Sequence, residues 1–168
     1  DSNLHRALAY TLAIHLPIAA LSLIPLIIPG QSLILLPVHI ALLHLVIDPA
    51  CTVMFEAIPA APGLMGQPPR PPGAPLFDPP TWKHATWQGL ALMAGVLAMA
   101  FWPQSAAETQ RSMVVGVLLL SGGGLVWING GRFIAITAAG AALGAALWLA
   151  LLLSAPLQRS LALTGLSS

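Results

Sequence analysis

L-P-V-H-I-A-L-L-H-L-V-I-D-P-A-C-T-V-M-F-E-A, from Leu36 to Ala57, is the stretch whose reading decides the fold. It is apolar over the roughly 20 residues that a bilayer-crossing helix needs. It nevertheless holds a carboxylate, Asp48, directly before a proline, Pro49. Aspartate at the centre of a spanning helix costs about 2.5–3.5 kcal/mol on insertion scales, so it normally faces a bundle interior or a water-filled path. His44 lies four residues earlier and Cys51 three later. At about 100° per residue, all three fall on one helical face. Pro49 has no N–H, so the carbonyl of Leu45 loses its helical partner. A freed carbonyl beside a carboxylate is a candidate cation ligand, a device that ion transporters use.

The remainder of the chain agrees with a membrane setting. Of 168 residues, 7% are charged and 57% hydrophobic, with a net charge of +1. A water-facing domain carries about a quarter charged residues. The composition therefore excludes a soluble globular domain, a disordered chain and a nucleic-acid binder. One cysteine allows no internal disulfide. Soluble-enzyme signatures are missing too, with no P-loop, no G-x-G-x-x-G, no zinc spacing and no nucleophile elbow, so no catalytic residue is expected within these residues.

The expected fold class is all-α: a polytopic transmembrane bundle with about five spanning helices, two of them proline-broken. The apolar runs are 7–28, 33–55, 87–102, 113–128 and 133–153. They form a single membrane domain over 1–168. Pro29-Gly30-Gln31-Ser32 reads as a tight turn that makes the first two runs an antiparallel hairpin. Residues 59–80 hold nine of the sixteen prolines and read as an extended, polyproline-like cytoplasmic loop. Gln104 to Arg111 reads as a polar loop, and Asn129-Gly130-Gly131-Arg132 as a turn. The tail from Ser154 carries no clear sixth span. Arg6, Arg70, Lys83 and Arg132 against Arg111 and Arg159 favour a cytoplasmic N-terminus. Trp82, Trp87, Trp102 and Trp127 fall near the expected interfaces.

The first run repeats the theme of the second. His15 precedes Pro17, which frees the carbonyl of Ala13, and Pro25 interrupts the same helix near its far end. Two neighbouring interrupted helices with polar side chains point to an ion site between them. The candidate cation-binding set is Asp48, His44, His15 and the Leu45 carbonyl, with Cys51 and Glu56 as weaker members and Pro17 and Pro49 as the helix breaks. Each has a plainer reading. Asp48 could be a hydrogen-bonded structural carboxylate, and the histidines could bond to backbone. Cys51 could be a small buried apolar residue, and Glu56 a solvated helix end. His39, on another face, reads as structural. Gly122-Gly123-Gly124 and the small residues from Ala138 to Ala146 read as close-packing surfaces.

Taken together, these stretches resemble P-type cation-transporting ATPases. Leu36 to Ala57 is similar to the sixth transmembrane helix of that family. Pro59 to Phe77 resembles the cytoplasmic loop that follows it, with the M-x-x-P-P-R-x-P pattern at Met65, Pro68, Pro69, Arg70 and Pro72. Asn3 to Ala19 looks like the fifth helix of bacterial members. The specific likeness covers residues 3–80, and the rest matches only as further helices.

The resemblance implies a fragment of a pump's C-terminal membrane domain, helices five to nine, in a bacterial plasma membrane. Soluble domains that bind ATP and Mg2+ are then expected upstream of Asp1, and a tenth helix beyond Ser168. The implied partners are the lipid bilayer, the transported cation and the remaining parts of the pump, with no nucleic acid. Calcium-pump-like members carry N-x-x-T-D in helix six. Asp48 matches the aspartate, with His44 and Ile47 at the asparagine and threonine positions. Ile18 stands where helix five would supply a glutamate, and Gly122 lies near the helix-eight carboxylate position. Calcium takes about six to eight oxygens. One carboxylate with two histidines suits a softer divalent metal or proton coupling better. Two other readings remain: a small membrane scaffold or assembly subunit without ATPase activity, and a secondary transporter. The latter would show inverted repeats, and the chain shows none.

Overall fold

A computed structural model describes residues 2–59, 63, 66, 71, 73, 78–103, 106–130 and 134–163. Six α-helices follow one another: α1 Ser2–Ile27, α2 Pro37–Pro49, α3 Pro79–Ala100, α4 Ala107–Gly130, α5 Ile134–Leu153 and α6 Ala155–Ser160. A π-helical segment, Ala50–Met54, continues α2. No strand occurs among the described residues. Asn3–Ile27, Pro37–Met54 and Ala107–Gly130 are long and apolar enough to cross a membrane, and Thr137–Leu153 is a shorter apolar helix. α3 is as long, but its first turns carry Trp82, Lys83, His84 and Gln88.

Several boundaries differ from the expected ones. The polar stretch from Gln104 to Arg111 is not all loop, because α4 begins at Ala107. Asn129 and Gly130, expected in a turn, close α4 instead. α3 begins at Pro79, eight residues before the apolar run. Its start is set by Asp78 in an extended N-cap conformation with proline in the first turn, where the missing N–H has no helical partner to lose. Polar helix ends escape a reading based on apolar runs alone. The M-x-x-P-P-R-x-P residues Met65, Pro68, Pro69, Arg70 and Pro72, and also Gln104, Gly131 and Arg132, lie outside the described residues.

The two proline interruptions take different forms. α1 runs as one helix through Pro17 and Pro25. In α2 the helix gives way immediately after Pro49 to the π segment. Pro49 cannot donate to Leu45, so the backbone takes a wider turn there; such turns recur at functional sites.

α1 packs on α3 and α4, α4 on α5, and α2 on α4. Between lipid-embedded helices the hydrophobic effect is weak, and close packing takes its place. Glycine supplies that closeness at the α4–α5 crossing. A methyl group at Gly144 would stand 2.6 Å from the Leu119 oxygen, and one at Gly123 would stand 2.8 Å from Ala141 Cα. The three consecutive glycines of α4 thus serve three directions. Gly122 faces Tyr10 and Ile14 of α1, Gly123 abuts α5, and Gly124 faces open space. Tyr10 also meets Phe55, just past the π segment, with ring centroids 5.5 Å apart.

The tail docks back onto the bundle. Gln158 Nε2 donates to the Leu151 and Leu152 carbonyls at 2.9 and 2.8 Å, satisfying the end of α5. His39 is fully buried. The Leu36 amide donates to its Nδ1 at 3.2 Å, so Nε2 carries the proton and donates to the Leu161 carbonyl at 2.6 Å. His39→Ala removes both bonds and is expected to cost about 1–3 kcal/mol. Thermal unfolding in detergent measures it, and an unchanged melting temperature would refute the structural role.

Candidate functional site

His15 of α1 lies beside His44 of α2, and His44 in turn lies beside Asp48. The His15 and His44 rings lie 5.3 Å apart, inclined at 60°. His44 Nδ1 lies 3.4 Å from Asp48 Oδ1. His15 Nδ1 donates to the Thr11 carbonyl at 2.8 Å, which leaves Nε2 as its lone-pair nitrogen. The His44–Asp48 pair follows from the four-residue spacing on one helix. The approach of His15 depends on how α1 and α2 sit, which no local pattern encodes.

This face is open. The side chains of His44 and Asp48 are 40% and 71% exposed. Leu45, whose carbonyl Pro49 deprives of a partner, is 63% exposed. Ile47, at the position of the family threonine, is buried instead. No cluster of three or more His, Cys, Asp or Glu residues sits close enough to hold a metal among the described residues.

The remaining candidates part company with this set. The Ala13 carbonyl freed by Pro17 sits in the α1–α3 seam, 3.2 Å from where a methyl group on Gly89 would stand. Two residues separate Ala13 from His15, which puts them on nearly opposite sides of α1. Ile18 is buried in the core, and Gly122 faces α1. Neither position supplies a ligand. Cys51 lies in the π segment, and its side chain is outside the description. Glu56 is exposed beside a separate cavity of about 280 Å³, shared with Asn3, Thr52 and Phe55.

Two polar residues at this end were not singled out from the sequence. The Thr52 hydroxyl donates to the Asp48 carbonyl at 2.8 Å. That i−4 bond is a common way for threonine to bend a helix, and its spacing was the signal. Asn3 Nδ2 donates to the Ile58 carbonyl at 2.7 Å, tying the start of α1 to the chain beyond the π segment. Asn3 Oδ1 is buried with no partner among the described residues. Nothing local announces a contact of that range.

A family model described as "Cation transporting ATPase, C-terminus" matches residues 32–167. The match takes in α2 and all that follows, with α1 outside it. Searches of curated proteins and of solved structures found no match.

Proposed function

This chain belongs to the family of cation-transporting ATPase C-termini, and from that premise we propose that the open face of α1 and α2 carries the cation path of a P-type pump. The observation that carries this reading is the line of His15, His44 and Asp48, with contacts of 5.3 and 3.4 Å. A carboxylate 71% exposed on an apolar helix is costly against lipid. The cost disappears if the face lines a water path or meets further helices of the pump.

In this reading Asp48 supplies the negative charge. The lone-pair nitrogens of His44 and His15 and the carbonyl of Leu45 complete the approach. Cys51, three residues after Asp48, is a secondary member, and Glu56 stands apart beside its own cavity toward the N-terminal end of α1. Imidazole donors favour a borderline or soft divalent metal over calcium. The π segment after Pro49 is the flexible joint of the path. ATP and Mg2+ would act in soluble domains of the same pump, and the enzyme activity is theirs. A cytoplasmic N-terminus and a bacterial plasma membrane complete the proposal.

The test is ion-stimulated ATP hydrolysis by the native pump across zinc, cobalt, manganese and calcium. A transition metal is expected to stimulate best. His44→Ala is expected to raise its half-saturating concentration at least about tenfold, a loss of roughly 1.4 kcal/mol of binding. Stimulation by calcium alone, unchanged in His44→Ala, would sink the assignment.

A further inference from the structure

The opposite side of the bundle carries a two-part groove that the cation path does not use. At the N-terminal end of α1, a cavity of about 430 Å³ is lined by His5 and Arg6 of α1, Thr81 and His84 of α3, and Asn129 of α4, among others. A second, more apolar cavity of about 350 Å³ is lined by Gln88, Leu92, Ser121, Gly124 and Ile128, among others. Ile128 borders both. From Thr81 and His84 to Gln88 and Leu92 the groove advances eight residues along α3, about 12 Å at the helical rise.

A hydrogen-bonded floor joins the two parts. Asn129 Nδ2 donates to the Leu125 carbonyl at 2.9 Å and to Gln88 Oε1 at 3.1 Å. The Gln88 amide, its oxygen so engaged, donates through Nε2 to His84 Nε2 at 2.8 Å. In the neutral ring this leaves the His84 proton on Nδ1, available to a ligand. Arg6 spends one long contact, 3.4 Å, on the Gly130 carbonyl and keeps donors to spare. Lys83 adds a positive charge on the first turns of α3, and Asp78, which interacts electrostatically with His5, tempers it. Trp82, Trp87 and Trp127 are 48%, 65% and 46% exposed around this end, the placement of an interfacial aromatic belt.

The geometry points to a site for an anionic phospholipid. Its phosphate sits against Arg6, His5 and His84, and one acyl chain runs down the groove between α3 and α4 past Gly124. A cationic, donor-rich mouth that continues into an apolar trough along the membrane normal matches a lipid head and tail in that order. Gly124 keeps the trough open: a methyl group there would meet nothing within 4 Å.

Native mass spectrometry on the native polypeptide tests this, after equilibration with phosphatidylglycerol and phosphatidylcholine in equal amounts. Phosphatidylglycerol is expected to be retained in preference. Arg6→Gln is expected to lower its retention about fivefold, the effect of one basic charge at a lipid surface. Arg6→Lys keeps the charge and is expected to retain the lipid, which separates the charge from the Gly130 contact. Gly124→Leu fills the trough and is expected to release the lipid with an unchanged melting temperature. Equal retention of the two lipids overturns the proposal, as does retention of neither, which would mean that protein covers the groove. Displacement of phosphatidylglycerol by inorganic phosphate alone overturns it too, because the mouth would then be a phosphate site. So does Gly124→Leu behaving as the wild type.

Discussion

Asp48→Asn is expected to abolish ion-stimulated ATP hydrolysis by the pump and to leave the bundle folded. The substitution preserves shape and removes one charge. Two unit charges 4 Å apart interact by about 4 kcal/mol at an effective dielectric of 20, which is about a thousandfold in affinity. A divalent cation loses more. The fold has little at stake in this side chain, which is 71% exposed and lies 3.4 Å from His44 Nδ1. The Thr52 bond uses the backbone oxygen of Asp48 and survives the change. The measurement is ATP turnover against cation concentration, paired with circular dichroism. Turnover retained at wild-type cation concentrations would show that Asp48 is a structural carboxylate. Loss of helix in the variant would show the same by another route.

The largest stability loss is expected at the α4–α5 crossing. In Gly144→Val the new Cβ would stand 2.6 Å from the Leu119 oxygen and 3.7 Å from the Gly123 nitrogen. The Leu119 oxygen is a backbone atom and cannot swing aside, so the helices must separate, whereas the Gly123 nitrogen is at ordinary contact distance. Overpacking of this kind costs about 3 kcal/mol. Separation also loses the facing contact of Gly123 with Ala141. Gly124→Ala is the control. It lies next to Gly123 on the same helix, but its methyl group meets nothing within 4 Å. It is expected to be neutral or to stabilise by up to about 1 kcal/mol through helix propensity. Thermal unfolding of the two variants in one detergent decides between them. Equal melting temperatures would mean that the crossing tolerates a wider spacing.

These two substitutions mark how much the sequence discloses by itself. The helical membrane class follows from 7% charged residues and long apolar runs, because the solvent selects composition directly. The His44–Asp48 pair follows from spacing, because an α-helix fixes which residues share a face. Helix ends are less legible. Lys83 and His84 lie inside α3 and Glu108 inside α4, and a hydropathy reading assigns such residues to loops. Glycine runs are legible as small surfaces but not as directions. Gly123 and Gly124 are the same letter, and only the packing of α5 and α3 distinguishes them. The two prolines before the ion path likewise look equivalent. One gives way to a π segment, and the other leaves α1 continuous with the Ala13 carbonyl against Gly89. Long-range partners such as Asn3 with Ile58 have no local cause and emerge only with the tertiary fold.

The bond between His39 and Leu161 spans 122 positions of sequence, and that span has a meaning in time. Ribosomes add about 5–20 residues per second. Some 6–24 seconds therefore separate the synthesis of His39 from that of its acceptor. Throughout that interval the imidazole at the start of α2 has its Leu36 contact but not the second one. The helix that bears Asp48 is made well before its last anchor, and that anchoring waits for the residues that follow α6.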